Sequence, residues 1–149
     1  MRKILISIKP KWVKKILNGE KTLEIRKTAP KCELPCEVYI YCTKENAKYF
    51  IENKIYNAMM KGKVVAKFVL NKVSKIKYSR GTWNCGDIGN HKVLWDRSCL
   101  NYLQLEQYLN GEGYAWHIDK LVPFDRPKEL KDYGVKYSPQ SYCFCEVDE

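Results

Sequence analysis

Six β-rich runs are spread along the whole 149-residue chain, and they do not alternate regularly with helical stretches. They are KILISI (3–8), KTLEIRKT (21–28), CEVYIYC (36–42), KVVAKFVLNKVSKIKY (63–78), GYAWHIDKLVPF (113–124) and SYCFCEV (141–147). That order does not suit a parallel sheet of repeated βαβ units. It predicts an α+β fold, a small mixed β-barrel of about six strands with two to three flanking helices. The 63–78 run is long for one flat strand and predicts a curved strand that serves both sides of the barrel. Because the runs reach both ends, residues 1–149 read as one domain, as the length also suggests.

The helical stretches are marked by spacing and by their ends. Pro10 suits the first position of a helix, where its missing N–H costs nothing. Val13, Ile16 and Leu17 then recur at helical spacing, with Lys11, Lys14, Lys15 and Asn18 on the opposite face, and Gly19 is placed to end the helix. Ala47, Ile51, Ile55 and Met59 recur every four residues and predict a helix over 45–60, stopped near Gly62. A further helix is expected over about 100–110, ended by Gly111, and a single helical turn from Pro127 in PKELKDY. Residues 79–98, SRGTWNCGDIGNHKVLWDRS, hold three glycines and no clear period, and read as a loop.

The formal net charge of +10 points to an anionic partner, nucleic acid before others. The basic residues are 22 Lys against 5 Arg. Together with the many Ile, Asn and Tyr, that bias is also what AT-rich coding produces, so solubility and drift account for part of the charge. Seven cysteines is an odd number. The N-terminal apolar run stops at Ile8, too short for a secretory segment, and no apolar stretch reaches membrane-spanning length. The expectation is a reduced, cytosolic protein with free thiols and no membrane partner.

The densest charged motif is GEKTLEIRK (19–27). Side chains alternate along a strand, so Thr22, Glu24 and Arg26 share one face and Leu23, Ile25 and Lys27 the other. Leu23 and Ile25 read as core. Glu24 and Arg26 then point to solvent or into a cleft, and Lys21 sits at the corner between helix and strand, aimed at the same place. In solvent the group is a surface ion pair of little energetic weight. In a partly dry cleft it offers two donors and one acceptor, which suits a nucleobase edge or a phosphate.

The stretch SIKPKWVKKILNGEKTLEIRKTAP (7–30) resembles the opening of an ASCH domain, a family of the PUA-like superfamily named for homology to activating signal cointegrator. Gly19, Lys21, Glu24 and Arg26 match its G-x-K-x-x-E-x-R pattern. VYIYCTK (38–44), VVAKFVL (64–70), GYAWHIDKLVPFDRPKEL (113–130) and SPQSYCF (138–144) also resemble small bacterial and phage-type members. The resemblance implies a PUA-like barrel with a cleft beside it, the motif residues facing that cleft, and RNA or a nucleotide as ligand. On this reading Lys21, Glu24 and Arg26 are the central contacts. Trp12 on the preceding helix, with Lys11, Lys14 and Lys15 beside it, adds stacking and backbone charge. The resemblance also puts Gln140 and Ser141 within reach of a base edge.

One branch of that family resembles a small amidohydrolase acting on acylated cytidine, with a lysine at the position of Lys21 and a threonine at that of Glu24. Under this alternative, or a ribonuclease reading, Lys21 is the catalytic group. Glu24 departs from the pattern, and pairing with it is expected to raise the Lys21 pKa and make a poorer base. A third alternative is a protein-interaction module of phage or prophage origin, whose charge serves only solubility.

Other features carry less. Cys32-x3-Cys36 has an allowed zinc spacing, but Cys143-x-Cys145 does not complete a structural site, so no metal and no other cofactor is expected. His117 reads as a hydrogen-bonded structural histidine without a carboxylate partner, and His91 lies in the 79–98 loop. Trp83, Trp95 and Trp116 read as core. There is no phosphate-binding glycine loop, no G-x-S-x-G and no H-E-x-x-H.

Overall fold

In the computed structural model, residues 2–44 and 60–147 are described. The helix expected over 45–60 lies, apart from Met60, outside them.

The first strand, β1 (Lys3–Ile8), runs into helix α1 (Pro10–Leu17) and then into β2 (Leu23–Arg26) and β3 (Cys36–Cys42). Pro10 opens α1 and Gly19, at φ 85°, follows its end, as the sequence suggests. Val13 and Ile16 are the buried stripe. β1 and β3 pair in parallel, so α1 and β2 form the crossover between them.

The chain continues through β4 (Lys63–Leu70), β5 (Val73–Ser79), β6 (Thr82–Asn84), α2 (His91–Ser98), α3 (Tyr102–Tyr108), β7 (Glu112–His117), β8 (Asp119–Lys128) and β9 (Tyr142–Cys145). The fold is mixed α+β. One sheet has the order β8-β4-β3-β1-β9 and the other β2-β7-β5-β6.

Among the described residues there are nine strands, against about six that the sequence suggests. The 63–78 run breaks at Asn71 and Lys72, with β4 in the first sheet and β5 in the second. The 113–124 run divides in the same way at Ile118 into β7 and β8. Each corner hands the chain from one sheet to the other. β8 also runs through Pro127, in place of the helical turn suggested there, and the 3-10 turn begins only at Leu130. Two prolines are tolerated in β8 because it lies at a sheet edge.

The 79–98 segment is not a loop throughout. It carries β6, a 3-10 turn (Gly86–Ile88) and α2. Trp83, Ile88 and Leu94 are buried there, and the three glycines of the segment hide any single period. Asn90 starts α2, its side-chain oxygen accepting from the N–H groups of Lys92 and Val93 at 3.0 and 3.2 Å.

The first sheet buries both faces, which is why ILISI is apolar on both sides of the strand except at Ser7. Ile4, Ile6 and Ile8 join Val38, Ile40, Phe68 and Trp116 in one core, while Leu5 joins Tyr39, Tyr41 and Tyr133 in another. A third core packs Leu23, Ile25 and Ala115 of the second sheet against Leu94 of α2 and Leu105 of α3. Leu23 and Ile25 are thus fixed toward the helices, and the other face of β2 is left for Glu24 and Arg26.

Candidate functional site

Glu24 is the centre of the site. It lies opposite Trp116 across the β2–β7 pair, so it shares the face that Trp116 buries. Its residue exposure is only 5%. A carboxylate this deep needs cationic partners, and it has two. Arg26, two residues along the same strand face, places Nη2 3.1 Å from Oε2. Lys21, at the corner before the strand, places Nζ 3.6 Å from Oε1. Burial pushes the Glu24 carboxyl up, but Arg26 and then Lys21 pull harder and hold it below its ordinary range. At neutral pH it is an acceptor only.

Both cations are held by the fold as well as by Glu24. Arg26 Nη2 donates to the Ser7 carbonyl at 2.7 Å and Nη1 to Ser141 Oγ at 3.4 Å. Lys21 Nζ donates to the Ser98 carbonyl at the end of α2 and lies 5.0 Å from the centre of the Trp12 ring. Lys21 is 1% exposed. Burial lowers its pKa, and the opposing pull of Glu24 does not make up the loss. The pair effect therefore has the expected sign, but the net shift is downward, contrary to the expectation from the motif alone.

These residues line a cavity of about 670 Å³. Lys9, Trp12, Thr43, Tyr108 and three glutamines, Gln104, Gln107 and Gln140, complete much of its wall. Gln104 uses its side-chain carbonyl to accept from Asn101 N–H, in the cap of α3, leaving its NH₂ as donor.

Among the residues singled out from sequence, Trp12, Lys21, Glu24, Arg26 and Gln140 come together in this cavity, and Ser141 is held beside it by Arg26. Lys11 lies 4.8 Å from the Trp12 ring centre. Lys14 and Lys15 do not line the cavity, and Lys15 pairs with Glu20 at 3.2 Å. Sequence reasoning missed the wall contributed by α3. Gln104, Gln107 and Tyr108 are spaced i, i+3, i+4, a single helix face, but nothing local says that this face meets β2.

A second polar cluster centres on His117, the last residue of β7. His117 Nε2 is 2.8 Å from Ser74 Oγ, which donates to Asp87 Oδ1 at 2.7 Å. Lys72 pairs with Asp87. His117 Nδ1 faces Arg97 Nη2 at 3.5 Å, and Arg97 Nε donates to Thr22 Oγ1 at 3.0 Å. Since the Ser74 proton goes to Asp87, the consistent tautomer has Nε2–H donating to Ser74 and Nδ1 accepting from Arg97. His117 is a structural histidine, as read from sequence, and it has an indirect carboxylate partner that the sequence did not reveal. Among the described residues, no group of three or more His, Cys, Asp or Glu is arranged to hold a metal ion, and no helix is long and apolar enough to cross a membrane.

No protein-family model and no curated protein sequence matches the chain. Among solved structures it is similar to the ASCH protein from Zymomonas mobilis, with a TM-score of 0.66 and 19% identity over 95% of this chain and 86% of that one. It is also similar to a tyrosine-to-phenylalanine variant of that protein, at 0.64 and 18% over 97% of this chain and 90% of that one. A serine-to-alanine variant gives 0.64 and 18% over 95% and 87%. At such identity the likeness is one of fold: the chain has the ASCH-domain fold.

Proposed function

We propose that this ASCH-fold chain binds RNA or a nucleotide, with a nucleobase entering the cavity around Glu24 and Arg26. The observation that carries this reading is the buried, ionised Glu24 carboxylate set beside the Arg26 guanidinium in an open cavity walled by glutamine amides. A site of that kind presents an acceptor next to donors. It matches the edge of a base that carries an amino group next to a ring nitrogen or carbonyl. Tyr108 and the edge of Trp12 supply flat apolar wall for the base face. Glu24 would take the amino hydrogen, and Arg26 and the glutamine amides the acceptors.

A hydrolase using Lys21 is the second reading, and the burial that lowers the Lys21 pKa favours it. Against it, the ammonium donates to the Ser98 carbonyl, pairs with Glu24 and lies against the Trp12 ring, three contacts that each favour its charged form.

Titration calorimetry with the four nucleoside 5′-monophosphates and with a short single-stranded RNA tests the binding reading. Arg26→Ala should weaken binding by about 1–3 kcal/mol if the contact is bidentate. Arg26→Lys, which keeps the charge and loses the fork, should recover only part of it. No binding of any of these ligands would refute the proposal.

A further inference from the structure

We infer that the cavity is one end of a longer track, and that its ligand is a single-stranded nucleic acid of several nucleotides rather than a free nucleotide. The inference rests on the cavity being a nucleobase site, and it names what lies beyond.

Lys21 and Arg26 are the cations of the cavity floor, and both are already engaged by Glu24 and by backbone carbonyls. A phosphate dianion at that depth would compete with an ionised carboxylate for the same donors. The phosphates of a bound ligand therefore belong outside the floor.

A second cleft, of about 630 Å³, lies next to the first. Thr43, Ser138, Pro139 and Gln140 line the cavity, and Lys44, Lys136 and Tyr137 line the second cleft. These are adjacent residues on two segments, 43–44 and 136–140, so the two clefts share a continuous wall. Residue-to-residue steps of about 3.8 Å separate one from the other.

The second cleft has the chemistry that the floor of the first lacks. Lys44, Lys131 and Lys136 are all exposed and make no ion pair among the described residues. The acidic lining residue Glu129 is paired with Lys63. Tyr137 is 84% exposed, the most exposed large hydrophobic among the described residues, and Tyr41 lies behind at 3%. Exposed cations interleaved with an exposed ring are what a sugar–phosphate strand with stackable bases uses. A free phosphate would need the lysines and not the ring. In this arrangement the base in the cavity is held by Glu24 and Arg26. The strand then passes the Thr43 and Ser138 wall, with its next phosphates against the lysines and a neighbouring base on Tyr137.

The test compares cytidine and guanosine 5′-monophosphates with a fluorescein-labelled single-stranded RNA of eight mixed nucleotides. Binding is measured for wild-type protein, the triple variant Lys44→Gln/Lys131→Gln/Lys136→Gln, and Tyr137→Ala. All four substituted side chains are exposed, so folding should be unaffected, and circular dichroism checks it. The octamer should bind at least tenfold more tightly than either monophosphate at 50 mM salt. The triple variant should flatten the slope of log affinity against log salt by about 2, near 0.7 for each phosphate no longer neutralised. Tyr137→Ala should cost the octamer about tenfold and leave a monophosphate unchanged. Monophosphate binding with no gain on lengthening, or an unchanged salt slope in the triple variant, would overturn the track and leave the cavity reading standing. No binding of either kind would overturn both.

Discussion

Lys21 Nζ lies 3.6 Å from Glu24 Oε1, and this contact does not restore the ammonium to its ordinary pKa. The ion pair is a consequence of the fold more than a driver of it. Leu23 and Ile25 commit β2 to the helices, so Glu24 is turned inward regardless of its charge. Lys21 and Arg26 then make an otherwise prohibitive burial tolerable.

Glu24→Gln should therefore be strongly destabilising. It removes the shared counter-charge and leaves two cations facing each other across the cavity floor. The expected loss is about 3–5 kcal/mol in urea unfolding at pH 7. The pH dependence has a definite sign. The folded-state pKa of Glu24 is depressed, so its contribution is complete above the ordinary carboxylate pKa of about 4.3 and is lost as pH falls through the depressed value. The variant should lack that acid loss. A Glu24→Gln protein as stable as wild type would show that the carboxylate is not held as described.

His117 should give a second, separate pH effect. Burial first, then Arg97 and Lys72, lower its pKa, and Asp87 opposes them only in part. Neutral His117 accepts from Arg97, which in turn holds Thr22 at the start of β2. Its contribution is thus present above the unfolded value of about 6.5 and lost as pH falls through the lowered folded value. Thermal unfolding between about pH 7.5 and 5 should show this loss, and His117→Gln should remove much of the slope. The protection factor of the Thr22 amide, whose N–H donates to the Arg97 carbonyl at 2.8 Å, should fall over the same range in wild type. An unchanged slope in His117→Gln would contradict the assignment.

Gly113 links the fold to the site through space alone. A Cβ there would lie 2.7 and 2.8 Å from the Leu109 methyls and 3.0 Å from the Arg26 carbonyl oxygen. Leu109 is buried and the Arg26 oxygen is backbone, so neither gives way cheaply. Gly113→Ala should cost about 1–3 kcal/mol and shift β2 at Arg26. Ligand affinity should fall with stability, a coupling that substitution at the exposed Gly111 should not show.

Hydrolysis of N4-acetylcytidine should be absent. The Lys21 ammonium has a carboxylate and a carbonyl as partners, and no hydroxyl occupies position 24. Turnover near ~1 per second, in the range of ordinary enzymes, that disappears in Lys21→Met would place the Lys21 reading above binding. Activity that emerges only in Glu24→Thr would support binding as the role of the native residues.

The local half of this site was legible in the sequence. The alternation of LEIR, the glycine after α1 and the lysine at the corner are all contained in residues 10–26, and the structure assembles them as their spacing implies. The other half was not. The Ser98 carbonyl that holds Lys21 is 77 residues away, and the Ser7 carbonyl that holds Arg26 belongs to a strand of the other sheet. Backbone acceptors carry no side-chain signature. The two sheet-to-sheet corners, at Asn71 and Ile118, were hidden because neither carries a glycine or proline, and only the short polar pairs Asn71-Lys72 and Asp119-Lys120 interrupt the apolar runs there. α2 was hidden by the glycines that open and close the 3-10 turn before it, Gly86 and Gly89, although Asn90 was a visible cap.

Base entry beside Glu24 is tested most directly by the indole N–H spectrum of the ¹⁵N-labelled protein during titration with the single-stranded RNA octamer. Trp12 lines the cavity, whereas Trp83 and Trp95 belong to the core packed against α2 and α3. The Trp12 indole and the backbone amides of Lys21, Glu24 and Arg26 should shift together and saturate with one affinity, while the Trp83 and Trp95 indoles stay in place. Saturable binding that leaves Trp12 and residues 21–26 unmoved would contradict a base site in this cavity.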